Sequence, residues 1–313
     1  MKRKTKTMSI VAQTATAAMG LAALTSAHAV ENGSPVVPPG VYDFGAGMLP
    51  PPTELGAVGL RVAGARAKQA RDGSGNRSPA VPDLEVTSYS LALIKMTNVT
   101  LWGAKYGWGA VVPYLDMSLD LTVPTPGGPL VLSGRNRSVG DVSLMPVLLQ
   151  WVPSPGLFTN FQLAVQAPTG SYDKNRLINA GTNYWSVIPS FGITSISPGG
   201  FEVSSNFQVT LNGRNRDTDY RSGSEYQQDF AVGQHIGPWT IGLGGYYHHQ
   251  LNDDSAPGLL DGNRKRLAAL GPAVNFFEAG SGLPAVWAHV YKEFAARNTA
   301  QGTHFAVRAA WSF

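Results

Sequence analysis

The sequence predicts an all-β protein: a transmembrane antiparallel up-and-down β-barrel of about 12 strands in the outer membrane of a Gram-negative bacterium. Three observations carry the prediction. Apolar and polar residues alternate with a period of two over long segments. The connections between these segments alternate short and long. The final residue, Phe313, is aromatic and falls in register with an apolar face.

The chain starts with a basic cluster, Lys2, Arg3, Lys4 and Lys6, followed by an apolar stretch from Met8 to Leu24 and then Ala27-His28-Ala29. This is the pattern of a secretory signal cleaved after a small-x-small site, so residues 1–29 are expected to leave and residues 30–313 to form the mature barrel. No acidic residue precedes Glu31. Without those four cations the chain has 20 basic and 20 acidic residues, so the formal charge of +4 belongs to the precursor. Nothing in that balance favours a nucleic-acid partner.

Two uncharged stretches, Val142 to Tyr172 and Leu177 to Phe201, are long enough to suggest membrane helices. Their interiors forbid it. The first contains Pro146 and Pro153-Ser154-Pro155-Gly156, and the second Pro189 and Ser197-Pro198-Gly199-Gly200. Each reads as two strands joined by a tight turn. In residues 201–212, Phe201, Val203, Ser205, Phe207, Val209 and Leu211 share one face, opposite Glu202, Ser204, Asn206, Gln208, Thr210 and Asn212. A helix would scatter these around its circumference.

Strands are expected near 55–68, 84–101, 107–123, 139–151, 157–167, 183–195, 201–212, 224–236, 239–250, 265–277, 285–294 and 302–313. Short connections are expected at 102–106, 152–156, 196–200, 237–238 and 278–284, and longer ones mostly at 69–83, 124–138, 168–182, 213–223 and 251–264; 295–301 is short for its class. The even number puts both termini on the side of the short turns, the periplasm. A soluble β-sandwich also alternates. Many of these segments, however, have the ~10 residues that a tilted membrane strand needs. The sheet must close, because lipid offers no water to an open strand edge. Closure pairs the first strand with the last, where Phe305, Val307, Ala309, Trp311 and Phe313 form one apolar face. That face resembles the signal read by the barrel assembly machinery.

If apolar faces meet lipid and lipopolysaccharide, polar faces line the lumen. The expected lumen residues are Arg61, Asp116, Asp120, Asn160, Gln162, Gln166, Glu202, Asn206, Gln208, Glu225, Gln227, Asp229, His304 and Arg308. Arg135, Arg137, Arg214, Arg216, Arg264 and Arg266 are expected at the outer rim, where arginine suits lipopolysaccharide phosphates. The Pro/Gly-rich residues 30–54 read as a periplasmic lead-in in preference to a plug. His248 and His249 are adjacent, so a regular strand points them to opposite faces and they cannot share a metal ion. No cysteine, nucleotide loop or Ser–His pair on a lipid-facing row is evident. Neither a cofactor, a metal nor an enzyme activity is expected.

Gly140-Asp141-Val142 opens a strand ending Leu148-Leu149-Gln150-Trp151. Ala167-Pro168-Thr169-Gly170-Ser171-Tyr172 follows the next strand, and Asn183-Tyr184-Trp185 comes after it. With these motifs and its aromatic C-terminus, the chain from about Pro38 to Phe313 resembles the outer-membrane β-barrel family of the meta-pathway of phenol degradation. The resemblance implies a barrel that carries aromatic or other hydrophobic compounds across the outer membrane, and it supplies no residue-level site. A small-molecule solute channel without catalysis is therefore the expected function. A structural or surface-binding barrel with a blocked lumen and a barrel lipid hydrolase are the alternatives.

Overall fold

The computed structural model describes residues 36–259 and 261–313, so the expected signal at 1–29 lies outside the described residues. These hold no helix. The strands are β1 (Ala57–Arg71), β2 (Val81–Leu101), β3 (Ala104–Thr125), β4 (Gly128–Val139), β5 (Ser143–Ser154), β6 (Leu157–Gln166), β7 (Ser186–Ile196) and β8 (Phe201–Asn212). They continue with β9 (Arg214–Asn215), β10 (Tyr220–Arg221), β11 (Glu225–Ile236), β12 (Trp239–Gln250), β13 (Arg266–Phe276), β14 (Ala285–Arg297) and β15 (Thr299–Ser312).

Every pairing is antiparallel, and the sheet closes through β1 against β15. The short β9–β10 ribbon stands apart from it. β4 and β5 lie end to end along β3: Tyr114–Thr125 pair with β4, and Lys105–Val111 with β5. They form one wall position, which makes the barrel twelve-stranded. The closing strand is tied at its end too. The Phe313 N–H donates to the Gly56 carbonyl at 2.9 Å, and the Leu55 N–H to the Phe313 carbonyl at 3.0 Å.

The connection expected at 124–138 is corrected: most of it is β4, paired residue by residue with β3 from Tyr114↔Val139 to Thr125↔Gly128. Only Pro126-Gly127 turns the chain. The prolines and glycines there mark the tip of a long hairpin rather than a loop.

The break between β4 and β5 has a specific cause. Asp141 accepts the Gly170 N–H at 2.8 Å, and the Thr182 N–H and hydroxyl at 2.7 Å each. This carboxylate draws the wall and the connection after β6 together. Gly170 and Gly181 allow the approach, since a Cβ on Gly181 would lie 2.6 Å from the Gly170 carbonyl carbon. Three motifs far apart in sequence thus meet in one knot.

The lipid-facing surface follows the alternation. On β8, Phe201, Val203, Phe207 and Leu211 are exposed, whereas Glu202, Ser204, Asn206, Gln208, Thr210 and Asn212 are buried. On β15, Phe305 and Val307 are exposed while His304 and Ala306 are buried. Aromatic pairs mark the two edges of the apolar band: Trp239–Phe276 at the rim of the tight turns, and Tyr226–Tyr247 and Tyr89–Tyr114 toward the long connections.

Candidate functional site

The candidate site is the lumen, and residues 36–52 occupy part of it. The expected periplasmic lead-in is thereby corrected for the described part of the segment. Bound to wall strands at every step, it runs down the inside from the level of the long connections to the rim of the tight turns. Asp229 accepts the Gly40 and Tyr42 N–H groups at 3.2 and 3.1 Å. Glu202 accepts the Gly45 N–H at 2.7 Å, and Thr194 Oγ1 accepts that of Gly47 at 2.8 Å. Asn160 donates to the Ala46 carbonyl at 2.9 Å, and Trp287 Nε1 to the Phe44 carbonyl at 2.9 Å.

Buried backbone groups need such partners, and in a channel wall polar side chains must supply them. This explains the composition of the segment. Gly47 lies so close to the wall that a Cβ would come within 2.3 Å of the Thr194 nitrogen. A Cβ on Gly192, on the wall itself, would lie 2.2 Å from the Ala46 carbonyl oxygen.

Charge complementarity locks the middle of the segment. Asp43 faces Arg308 at 3.0 Å and His289 Nδ1 at 3.1 Å. Arg61 and Arg308 donate to the Gly40 and Val41 carbonyls at 3.1 and 3.2 Å. Arg308 also sits 4.2 Å above the Trp287 ring, a cation–π arrangement. Behind Asp43, His289 stacks on Tyr291 with centroids 4.0 Å apart, and its Nε2 is 3.3 Å from His304 Nδ1. Phe44 packs into a cluster with Ala231, Tyr246, Leu267 and Tyr291.

The opposite wall differs in character. Inward-facing Leu84, Val86, Ile94, Val111, Leu115 and Met145 leave a cavity of about 1170 Å³ beside the segment. The segment adds Val37, Val41 and Met48 to this lining. The lumen is therefore two-sided: a polar wall carries the segment, and an apolar wall borders open space.

Residues 67–309 match the family described as "Putative MetA-pathway of phenol degradation". The chain belongs to that family. Among solved structures, an outer membrane channel from Pseudomonas putida F1 is similar over 88% of this chain and 100% of that one, at 16% identity and a TM-score of 0.70. At that identity the likeness shows the fold, a closed outer-membrane β-barrel. The β domain of the Bordetella autotransporter BrkA (15% identity, 83% of this chain, 100% of that one, TM-score 0.49) and a Pseudomonas aeruginosa FadL homologue (10%, 82%, 90%, 0.41) are more distant. No curated protein sequence matches the chain.

In this member of the phenol-degradation family, most residues expected in the lumen do face inward. Asn160, Gln162, Gln166, Glu202, Asn206, Gln208, Glu225, Gln227, Asp229 and His304 are buried on the inner wall. Arg61 and Arg308 reach the segment. Asp116 and Asp120 are corrected. Both lie on the outward face of the β3–β4 hairpin, where Asp116 pairs with Arg137 at 2.9 Å and Asp120 is exposed. Their apolar neighbours turn inward instead, Met117 packing with Ile178 and Ala180. The reason is position along the strand. Beyond the Tyr89–Tyr114 level the hairpin leaves the lipid, so its outer face is wet and its inner face is covered by the connection after β6.

The rim arginines are dispersed. Arg135 and Arg137 lie on β4, and Arg214 pairs with Asp219 at 2.8 Å beside exposed Arg216. Arg264 pairs with Asp253 at 3.2 Å, and Arg266 starts β13. Sequence reasoning missed Asp43, Trp287, His289, Tyr291 and Glu293. The last four alternate at every second position of β14, opposite in parity to exposed Val290, so the period-two signal was available. It also missed the apolar wall, whose residues look no different from lipid-facing ones.

Among the long connections, Asp254 is buried. It accepts hydrogen bonds from Gln250 at 2.6 Å, from the Gly223 N–H at 2.8 Å and from the Tyr220 hydroxyl. Burial outweighs these bonds and pushes its carboxyl up to about 6. Among the described residues, no group of three or more His, Asp or Glu side chains is arranged to hold a metal ion.

Proposed function

We propose that the protein is a passive outer-membrane channel for small hydrophobic or aromatic molecules and carries out no chemistry of its own. The cavity of about 1170 Å³ supports this reading, because one of its walls is built from aliphatic side chains and methionine. Such a lining favours solutes with apolar faces over ions or sugars. The lumen residues act as selector, and the segment 36–52 narrows the path to a fraction of the barrel cross-section. In this reading the tight-turn rim, where β1 starts and β15 ends, is periplasmic and the long connections face outward. The outward row Phe305, Val307, Ala309, Trp311 and Phe313 serves as the assembly signal.

Uptake of phenol-like solutes by proteoliposomes containing the purified barrel tests the proposal. The expected result is uptake above that of empty liposomes, without saturation by small sugars. Uptake equal to that of empty liposomes would overturn it.

The blocked-lumen reading draws on the many hydrogen bonds that fix the segment. It predicts no uptake with the intact chain and recovery when the segment is displaced. The lipid-hydrolase reading needs a serine beside a lipid-facing histidine. The outward-facing His249 instead stacks on Tyr247, with centroids 6.2 Å apart, and lies opposite Arg266 and Tyr226.

A further inference from the structure

We propose that His249, Arg266 and Arg297 form an outward-facing phosphate site that holds the phosphorylated head of lipopolysaccharide on the β12–β14 wall. The proposal starts from register. Arg266 lies directly opposite His249 of β12 on one side and Arg297 of β14 on the other. Directly opposed residues share a face, with Cβ atoms roughly 4.5–5.5 Å apart. The face is the outer one. On the same strands Tyr247, Leu270, Val290 and Phe294 are exposed, while His248, Leu267 and Ala296 are buried.

Height along the barrel identifies the ligand. From Trp239 at the lower aromatic level to His249, β12 rises by ten residues, or about 26 Å at ~3.4 Å per residue and a tilt of ~40°. The apolar band of such barrels is about 25 Å tall. The three side chains therefore sit where acyl chains end and head groups begin, one step above Tyr247 and beside Tyr226, the cross-strand partner of His249. Leu270 and Phe294 below them present an apolar surface to those chains.

Two arginines directly opposite one another repel, and like-charged cross-strand pairs cost stability. Neither nearby carboxylate relieves this pair. Asp253 is engaged by Arg264, and Asp72 accepts the Ser74 and Asn76 N–H groups at 2.9 and 2.8 Å. Glu293 points inward to Tyr246. Arg266 Nε and His249 Nδ1 have no hydrogen-bond partner among the described residues. The uncompensated charge of two arginines at one point of the wall is what an anion relieves. A phosphate monoester matches the planar fork of arginine with two parallel hydrogen bonds.

The bulge in β14 brings the third residue into place. Ala268 opposes Phe294 whereas Arg266 opposes Arg297, so one extra residue is accommodated on β14, at a point where Ala295 has a φ of 53°. Without that residue the register of the strand end would slip and place a different side chain beside Arg266.

The test uses the full mature barrel in detergent and measures lipid binding by native mass spectrometry. Bis-phosphorylated lipid A, dephosphorylated lipid A and inorganic phosphate are the three probes. The wild-type barrel is expected to bind the phosphorylated lipid, and Arg266→Gln/Arg297→Gln to bind it about tenfold or more weakly. Dephosphorylated lipid A should bind both proteins at that weaker level. Lys105→Gln, at the opposite, tight-turn rim of the barrel, should bind as wild type, and heat-dependent gel migration checks that each variant is folded. Equal binding of the two lipids, or unchanged binding by the 266/297 variant, would overturn the proposal. So would competition by millimolar inorganic phosphate as strong as that by the lipid, because the site would then be for free anions.

Discussion

Replacing Asp229 with alanine should unseat the upper part of the luminal segment. Its carboxylate accepts the Gly40 and Tyr42 N–H groups. Hydrogen bonds to a charged group are worth about 1.5–3 kcal/mol each, and their loss leaves two backbone donors without partners inside the barrel. Taking the lower figure for both bonds gives about 3 kcal/mol, which moves a seated-to-unseated equilibrium by more than ~100-fold. The remaining clamps are unequal. Asp43 still holds Arg308 and His289, and Glu202 still holds Gly45, so the release should stop near Tyr42. The assay combines single-channel conductance in planar bilayers with limited proteolysis from the outer side. The variant should show larger, noisier currents and new cleavage between Val36 and Tyr42, with Asp229→Asn intermediate. Currents and cleavage identical to wild type would refute the reasoning, because they would mean that the segment is held by shape alone.

Three further predictions concern the same architecture. Gly192→Ala places a methyl group 2.2 Å from the Ala46 carbonyl oxygen, so it should displace the segment near Gly47 and raise conductance while heat-modifiable migration stays unchanged. Val111→Asp puts a charge on the apolar wall and should lower uptake of phenol-like solutes several-fold in liposomes, without loss of folded barrel. Asp254 has a folded-state pKa of about 6 against an ordinary 3.8, so the folded form holds its proton more tightly than the unfolded form. Its stabilising contribution is complete below about 3.8 and is lost as pH rises through about 6. Protection factors in residues 251–259, the exchange rates divided into the intrinsic amide rates at each pH, should therefore be higher at pH 4 than at pH 7.5, and Asp254→Asn should flatten the difference.

Much of the fold was legible because a membrane barrel imposes a simple rule on every crossing strand. The alternation in 201–212 and 302–313 fixed both the strands and their faces, since one face meets lipid along its whole length. Strands β8, β11 and β12 begin and end within one residue of expectation. The rule fails where the lipid ends. On the β3–β4 hairpin, Leu115, Met117 and Leu119 alternate just as well, yet their apolar side is the inner one. Nothing local marks the height at which the outside becomes water.

By itself, the sequence determined most of the crossing strands, the closure of the sheet and the polar composition of one luminal wall, because these depend on period and on the demand for backbone pairing in lipid; the β3–β4 hairpin beyond the lipid was not among them. Only the tertiary structure decided what that polar wall is for. Asp43 meets Arg308 and His289 across more than two hundred residues, and Gly47 and Ala46 fit against Thr194 and Gly192. A Pro/Gly-rich segment has no period of its own, so its place depends on complementary groups that the closed barrel first brings together. The apolar wall of the cavity emerged in the same way, as inward-facing aliphatic side chains left uncovered by the segment that crosses the lumen.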